Sequence, residues 1–147
     1  MDVYTASVDA VALVAATAKT VLQVATPATK RGRLLELQVS FDGVTAGNSP
    51  VLVELLRQTT AGTMTANTPN PHDSAAPASL LTASTNATAE PTAGVVLKRW
   101  RITPNGGVLV LPEGDPVRNA VIPVSGFLGI RCTAAQVVNV NASLTFQ

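Results

Sequence analysis

The side chains that could act as a nucleophile, a general base or a metal ligand are few in this 147-residue chain. It has one histidine, His72, and one cysteine, Cys132. Histidine-assisted hydrolysis needs three groups held together on a rigid support, whereas His72 stands beside Asp73 in a proline-rich stretch. A metal site needs several ligands at a recurrent spacing, and the sequence shows no such spacing. It therefore predicts a protein that is not an enzyme and has no metal or cofactor.

Two basic clusters are stronger candidates for a functional surface. They are Lys30, Arg31 and Arg33 ahead of one strand-like run, and Arg99, Trp100 and Arg101 within another. Tryptophan and arginine are enriched among residues that dominate protein–protein binding, so the second cluster is a candidate interface anchor. The alternative is structural, with Trp100 covering the edge of a core beneath the stems of its neighbours. The sequence leaves both interpretations open.

Charge and hydropathy argue against two classes of partner. Ten basic residues against nine acidic ones give a net charge of +1, which supplies no long-range field to attract nucleic acid. The longest apolar run, residues 10–16, is far shorter than the roughly 20 residues of a membrane span. We therefore expect neither a nucleic-acid nor a membrane partner.

A period of two in hydrophobicity is the main structural signal. Residues 138–147 alternate between apolar and polar side chains, as in a half-buried β-strand. Residues 35–41 do the same before the turn signal Asp42–Gly43, and residues 51–56 follow a breaker that ends at Pro50. We expect these last two strands to be antiparallel neighbours joined by a loop. Further strand-like segments are residues 20–25, 95–103, 107–111, 120–124 and 127–133.

Residues 6–18 are ambiguous, because their alanines suit a helix while Val8, Ala10, Ala12 and Val14 suit one face of a strand. A strand is favoured, which gives about eight strands and no convincing helix. The sequence thus predicts one all-β domain over residues 1–147, an antiparallel β-sandwich or jelly roll. Its expected core is Leu35, Leu37, Val39, Phe41, Val51, Val53, Leu128, Ile130, Val138, Val140, Leu144 and Phe146. Cys132 alternates with Leu128 and Ile130, so it is expected to be a buried, reduced thiol.

Residues 59–94 interrupt this pattern with a composition rich in Ala, Thr, Ser, Pro and Asn. Their one short apolar cluster is Leu80–Leu81, which is a further interface candidate. We predict one long inserted loop here. Ordering such a loop costs about 1–2 kcal/mol per residue, so a partner surface is expected to supply the offsetting contacts.

Several segments resemble small virion structural proteins of tailed bacteriophages and prophages. They are residues 35–44 (LELQVSFDGV), 50–63 (PVLVELLRQTTAGT), 90–94 (EPTAG) and 101–107 (RITPNGG), within a likeness that covers roughly residues 30–132. These are strand and turn residues, so the resemblance carries over no site residues.

This phage family includes capsid decoration, or cement, proteins, which are often β-rich and commonly sit as trimers on the capsid exterior. The resemblance implies a virion protein made in the host cytoplasm, with the major capsid protein lattice as its partner and a homo-oligomeric, preferably trimeric, state. The alternative is a tail or head-fibre component that binds a host receptor or a carbohydrate. Sugar binding favours aromatic surfaces, and this chain has only five aromatic residues.

Overall fold

The computed structural model describes residues 2–42, 47–106, 108–111 and 120–147. They form twelve β-strands in two antiparallel sheets. The strands are β1 (Tyr4–Leu13), β2 (Lys19–Ala25), β3 (Gly32–Asp42), β4 (Val51–Gln58), β5 (Thr63–Asn67), β6 (Asn70–Pro71), β7 (Thr82–Ala89), β8 (Ala93–Ile102), β9 (Val108–Leu111), β10 (Val121–Ile122), β11 (Phe127–Thr133) and β12 (Val138–Phe146). The predicted all-β sandwich is confirmed, with more strands than expected. Within the described ranges no helix is long and apolar enough to cross a membrane.

The strand order is that of a jelly roll with an insertion. The first sheet runs β10-β3-β12-β1-β6, with β9 also pairing with β3, and the second runs β5-β7-β2-β11-β4-β8. The first and last strands are thus neighbours in one sheet, and β2 and β11 are neighbours in the other, which is the nested arrangement of two Greek keys. Strands β3 and β4 lie in different sheets. The expectation that they are antiparallel neighbours is therefore wrong: β3 pairs with β12 and β9, whereas β4 pairs with β11 and β8.

The core lies between the two sheets and follows the predicted alternation closely. Ten of the twelve expected residues are buried in one continuous cluster with Cys132. The exceptions are Phe41, which is half-buried at the margin of the cluster, and Leu35, which is buried outside it. A register shift opposite Thr145 and Phe146 pairs Leu34 with Phe146. Leu34 therefore takes the inward place that strict alternation assigns to Leu35.

Strand β1 also departs from strict alternation. Its register against β12 shifts between Val8 and Val11, and Ala10 has a φ of 52° within this bulge. The bulge moves Val11 and Leu13 into the core, whereas the sequence pattern placed Ala10 and Ala12 on the inward face. The strand predicted over residues 6–18 is confirmed for residues 6–13 and begins earlier, at Tyr4, whereas residues 14–18 lie outside any strand. Its predicted face is wrong beyond the bulge.

The segment at residues 59–94 is not one long loop, and that prediction is wrong. It contains β5, β6, β7 and the first residues of β8. Strand β7 pairs with β2 at the margin of the second sheet, while β6 pairs with β1 at the margin of the first. The insertion, as we name residues 59–92, therefore attaches to both sheets on one side of the sandwich. Backbone pairing within the chain supplies the contacts that we expected from a partner.

Candidate binding cleft

The first basic cluster is held where β3 begins. Lys30 and Arg31 lie just before the strand, and Arg33 is its second residue. The Arg33 amide donates to the Gln147 carbonyl at 2.9 Å, and the Gln147 amide donates back to the Arg33 carbonyl at 3.0 Å. On the other side Arg33 pairs with Val121 of β10. Two neighbouring segments thus fix the backbone at Arg33.

The insertion is tied down beside it by residues near the start of β1. The His72 amide donates to the Val3 carbonyl at 2.9 Å, and the Tyr4 hydroxyl donates to the Pro77 carbonyl at 2.8 Å. The hydroxyl of Ser79 then donates to the Leu81 carbonyl at 2.9 Å and accepts from the Leu81 amide at 3.1 Å. These bonds fix the conformation of Leu80–Leu81.

Leu81 is seated directly on Gly32. A Cβ atom added at Gly32 would lie 2.6 Å from Cδ2 of Leu81 and 3.4 Å from Cδ1 of Ile122. A real Cβ does not approach a carbon so closely, so any larger residue at position 32 would push Leu81 away. The glycine between the basic residues therefore lets the leucine of the insertion dock against them.

Together these elements form a cleft of about 590 Å³. It joins two candidates that stand about 50 residues apart in the sequence, the basic cluster and the Leu80–Leu81 pair. The other lining residues are Asp2, Tyr4, Gly32, Pro77, Ala78, Ser79, Val121, Phe146 and Gln147. The volume is within the range of about 300–1,000 Å³ that is typical of ligand pockets. The sequence analysis did not single out Tyr4, Phe146 or Gln147 for this site: Phe146 and Gln147 belong to the alternating C-terminal run, and Tyr4 precedes the first segment that was considered.

The cleft has an apolar wall and a cationic side. Leu81, Tyr4 and Phe146 are buried behind it, whereas Leu80 is 59% exposed. Lys30 and Arg31 are exposed and Arg33 is half-buried. Among the described residues no carboxylate forms an ion pair with any of these three cations. Burial, and next the charge of Asp2, raises the pKa of Tyr4, so this ring stays a neutral hydrogen-bond donor.

His72 and Asp73 have structural contacts next to this site. Nε2 of His72 lies 2.7 Å from the Thr5 hydroxyl oxygen, and the Asp73 carboxylate accepts from the Ala75 amide at 2.9 Å. Over the part of the chain that is described, no group of three metal-binding side chains occurs. The contacts of His72 and Asp73 fasten the insertion and close its turn.

The second candidate cluster lies on β8 and does not line the cleft. Trp100 is half-buried and packs against the edge of the core with Leu97 and Ile102, as the structural alternative required. Leu97 joins this side because the pairing of β8 with β4 shifts register near Leu55 and Leu56. Arg101 is exposed, and Arg99 donates to Glu54 at 3.0 Å. The structure therefore separates the two sequence-predicted clusters.

A buried polar network on the second sheet escaped the sequence analysis. Gln23 donates to Gln58 at 2.6 Å, Gln58 donates to the Thr20 hydroxyl at 2.8 Å, and that hydroxyl donates to Glu90 at 2.7 Å. Gln23 also donates to the Thr60 carbonyl at 3.2 Å. Glu90 and Thr60 belong to the two ends of the insertion. Polar residues at the outward positions of a strand are expected to be solvated. Here the two ends of the insertion fold back over them and bury them.

Comparisons of the chain with protein-family models, with curated proteins and with solved structures found no match.

Proposed function

We propose that this chain is a non-catalytic structural protein of a tailed-phage particle. It binds the exterior of the assembled capsid, with the major capsid protein lattice as its partner, and stabilises the shell by adding interface. The segments of the chain that resemble phage virion proteins suggest this role. The jelly roll is compatible with it, because this architecture recurs in viral capsid proteins, although a fold by itself does not define a function.

The observation that carries the proposal is the cleft between the basic cluster and the insertion. It brings together exposed Leu80 and three cations that have no carboxylate partner among the described residues. Burying a leucine side chain contributes about 1.5–3 kcal/mol, and a charge-assisted hydrogen bond about 1.5–3 kcal/mol. A protein lattice repeats such contacts at every site, so modest single contacts add up over the shell. We propose that the chain occupies these sites as a homo-oligomer, preferably a trimer.

The test is co-sedimentation of the purified protein with capsids, and separately with tails, of the phage or prophage that encodes it. We expect binding to capsids and an increase in the temperature at which the capsids disrupt. Light scattering after size exclusion would give the oligomeric state. Binding to tails or to host cells alone would favour the fibre alternative, and binding to none of these would overturn the virion role.

Charge-reversal variants locate the contact. Arg31→Glu changes the cleft, and Arg101→Glu makes the same change on β8, where the side chain is also exposed. We expect the first variant to lose capsid binding and the second to retain it. The opposite pattern would move the contact to β8 and refute the role of the cleft.

A further inference from the structure

We infer that the cleft recognises an extended peptide segment in which apolar side chains alternate with carboxylates. The inference rests on the proposed function, which it deepens by naming the chemistry of the partner. Such a segment could be supplied by an exposed arm or loop of a shell protein. Its test below is independent of any particle.

The cationic side defines the first half of the ligand. Among the described residues that line the cleft, three side chains are cationic, those of Lys30, Arg31 and Arg33, and one side chain is a carboxylate, that of Asp2, so positive side-chain charge is in excess there. Asp2 forms no ion pair with these cations in the described structure. The guanidinium groups can each hold a carboxylate with two parallel hydrogen bonds. The cleft is therefore complementary to an acidic group and would repel a basic one.

The apolar wall defines the second half. Leu80 is 59% exposed, and Val121, which also lines the cleft, is exposed as well. Behind them Leu81, Tyr4 and Phe146 are buried and fill the wall, and the Tyr4 hydroxyl is already bonded to the Pro77 carbonyl. A ligand that gains from this surface must carry apolar side chains beside its carboxylates.

The extent of the site favours a peptide over a small anion. An inorganic anion could bind to the cations, but it would leave Leu80 and Val121 in contact with water. A chain in extended conformation places alternate side chains on opposite sides. It can therefore direct carboxylates toward Arg31 and Arg33 while its apolar groups cover the two exposed side chains.

The probe is a fluorescein-labelled peptide in which Leu and Glu alternate within a Gly–Ser frame. Two matched peptides replace either every Glu by Gln or every Leu by Ser. Fluorescence anisotropy with the intact protein should show binding of the first peptide and at least about tenfold weaker binding of the other two. Raising the ionic strength from about 0.05 to 0.5 M should weaken binding of the first peptide, because salt screens exposed charges.

Three variants assign the binding to the cleft. Arg31→Glu and Leu80→Ser should each weaken the first peptide at least about tenfold, while Arg101→Glu leaves it unchanged. Both cleft side chains are exposed, and circular dichroism of each variant verifies that the fold is retained.

Other results would overturn the inference. Equal binding of the Gln peptide would remove the role of charge, and equal binding of the Ser peptide with competition by inorganic phosphate would mean a simple anion site. Equal loss in Arg101→Glu would place the peptide on β8. If no peptide binds while capsids still co-sediment with the protein, the ligand chemistry is wrong and the proposed function stands. If the peptides bind as expected while capsids do not co-sediment with the protein, the proposed function is wrong and the ligand chemistry stands.

Discussion

Replacing Glu54 by Gln should destabilise the fold although it changes only one atom of the side chain. The Glu54 carboxylate accepts from Nε and Nη2 of Arg131 at 3.1 and 3.0 Å, and from Nε of Arg99 at 3.0 Å. It is buried, with 6% of its side chain exposed, against 22% for Arg131 and 64% for Arg99. The amide of Gln would present donors to one of two guanidinium groups that can only donate.

The exposures determine how the free energy divides between the two arginines. Hydrogen bonds to charged groups contribute about 1.5–3 kcal/mol. Arg131 lies in a largely buried position, and we count its two bonds as one such contribution because both go to Oε1 of Glu54. The Arg99 contact is screened by water, so it should contribute only about 0.2–1 kcal/mol. We expect Glu54→Gln to cost about 2–4 kcal/mol, which is at or below the cost of breaking a fully buried pair. Arg131→Ala should cost about 1.5–3 kcal/mol and Arg99→Ala less than about 1 kcal/mol.

Urea unfolding measures these differences. Trp100, the only tryptophan, is half-buried and reports unfolding by fluorescence. Because Trp100 is next to Arg99, circular dichroism, which reports on the whole β-structure, serves as the second measurement. A double-mutant cycle of Glu54→Gln with Arg131→Ala should show coupling, because both remove the same hydrogen bonds. Equal costs for Arg99→Ala and Arg131→Ala would refute the argument from burial. A neutral Glu54→Gln would refute the importance of the charge itself.

Three further predictions test the core, the thiol and the insertion. Phe146→Ala should cost about 3–5 kcal/mol in urea unfolding, because Phe146 is buried against Tyr4 with ring centroids 6.3 Å apart; a neutral result would mean that β12 does not pack in the core. Burial, and next the charge of Glu54, raises the pKa of Cys132 from 9.0 to about 12, so the native thiol should resist iodoacetamide. The unfolded thiol ionises first, so stability should fall above pH 9 with a slope of up to about 1.4 kcal/mol per pH unit; comparison with Cys132→Ala isolates this slope, and equal slopes would contradict it. In hydrogen exchange of the isolated protein, the paired amides of Thr82–Ala89 should be protected, since this strand pairs with β2 and β5; exchange at the rate of a free coil would contradict the pairing.

Much of the sheet could be predicted from the sequence because burial on one face imposes a period of two. Phe127–Thr133 was bounded correctly, and the run predicted over residues 138–147 forms a strand that ends one residue earlier, at Phe146. Alternation fails where the backbone gains a residue. The shift beside Phe146 moves Leu34 inward, and no residue type at that position signals it.

The cleft was predictable in its parts and not in its assembly. The sequence analysis named the basic cluster and Leu80–Leu81 as interface candidates, because cations and an apolar pair stand out in this composition. Their meeting depends on the pairing of Tyr4 with Pro71 and on the absence of a side chain at Gly32. Both are long-range facts that no local pattern contains. The local sequence made Trp100 an equally good interface candidate. In the structure, Trp100 instead packs against the edge of the core, where a neighbouring bulge in β8 also places Leu97.

The composition of the insertion suggested the wrong source for its stability. Few apolar side chains indicated that residues 59–94 needed a partner, but backbone pairing with both sheets supplies much of the ordering, and buried Ala83 and Ala87 show that small side chains suffice at a tight sheet margin. A partner that binds the cleft would therefore not have to order this segment. Because ordering costs reduce affinity, a wall that is already fixed by Tyr4 and Gly32 can use the burial of Leu80 directly for binding.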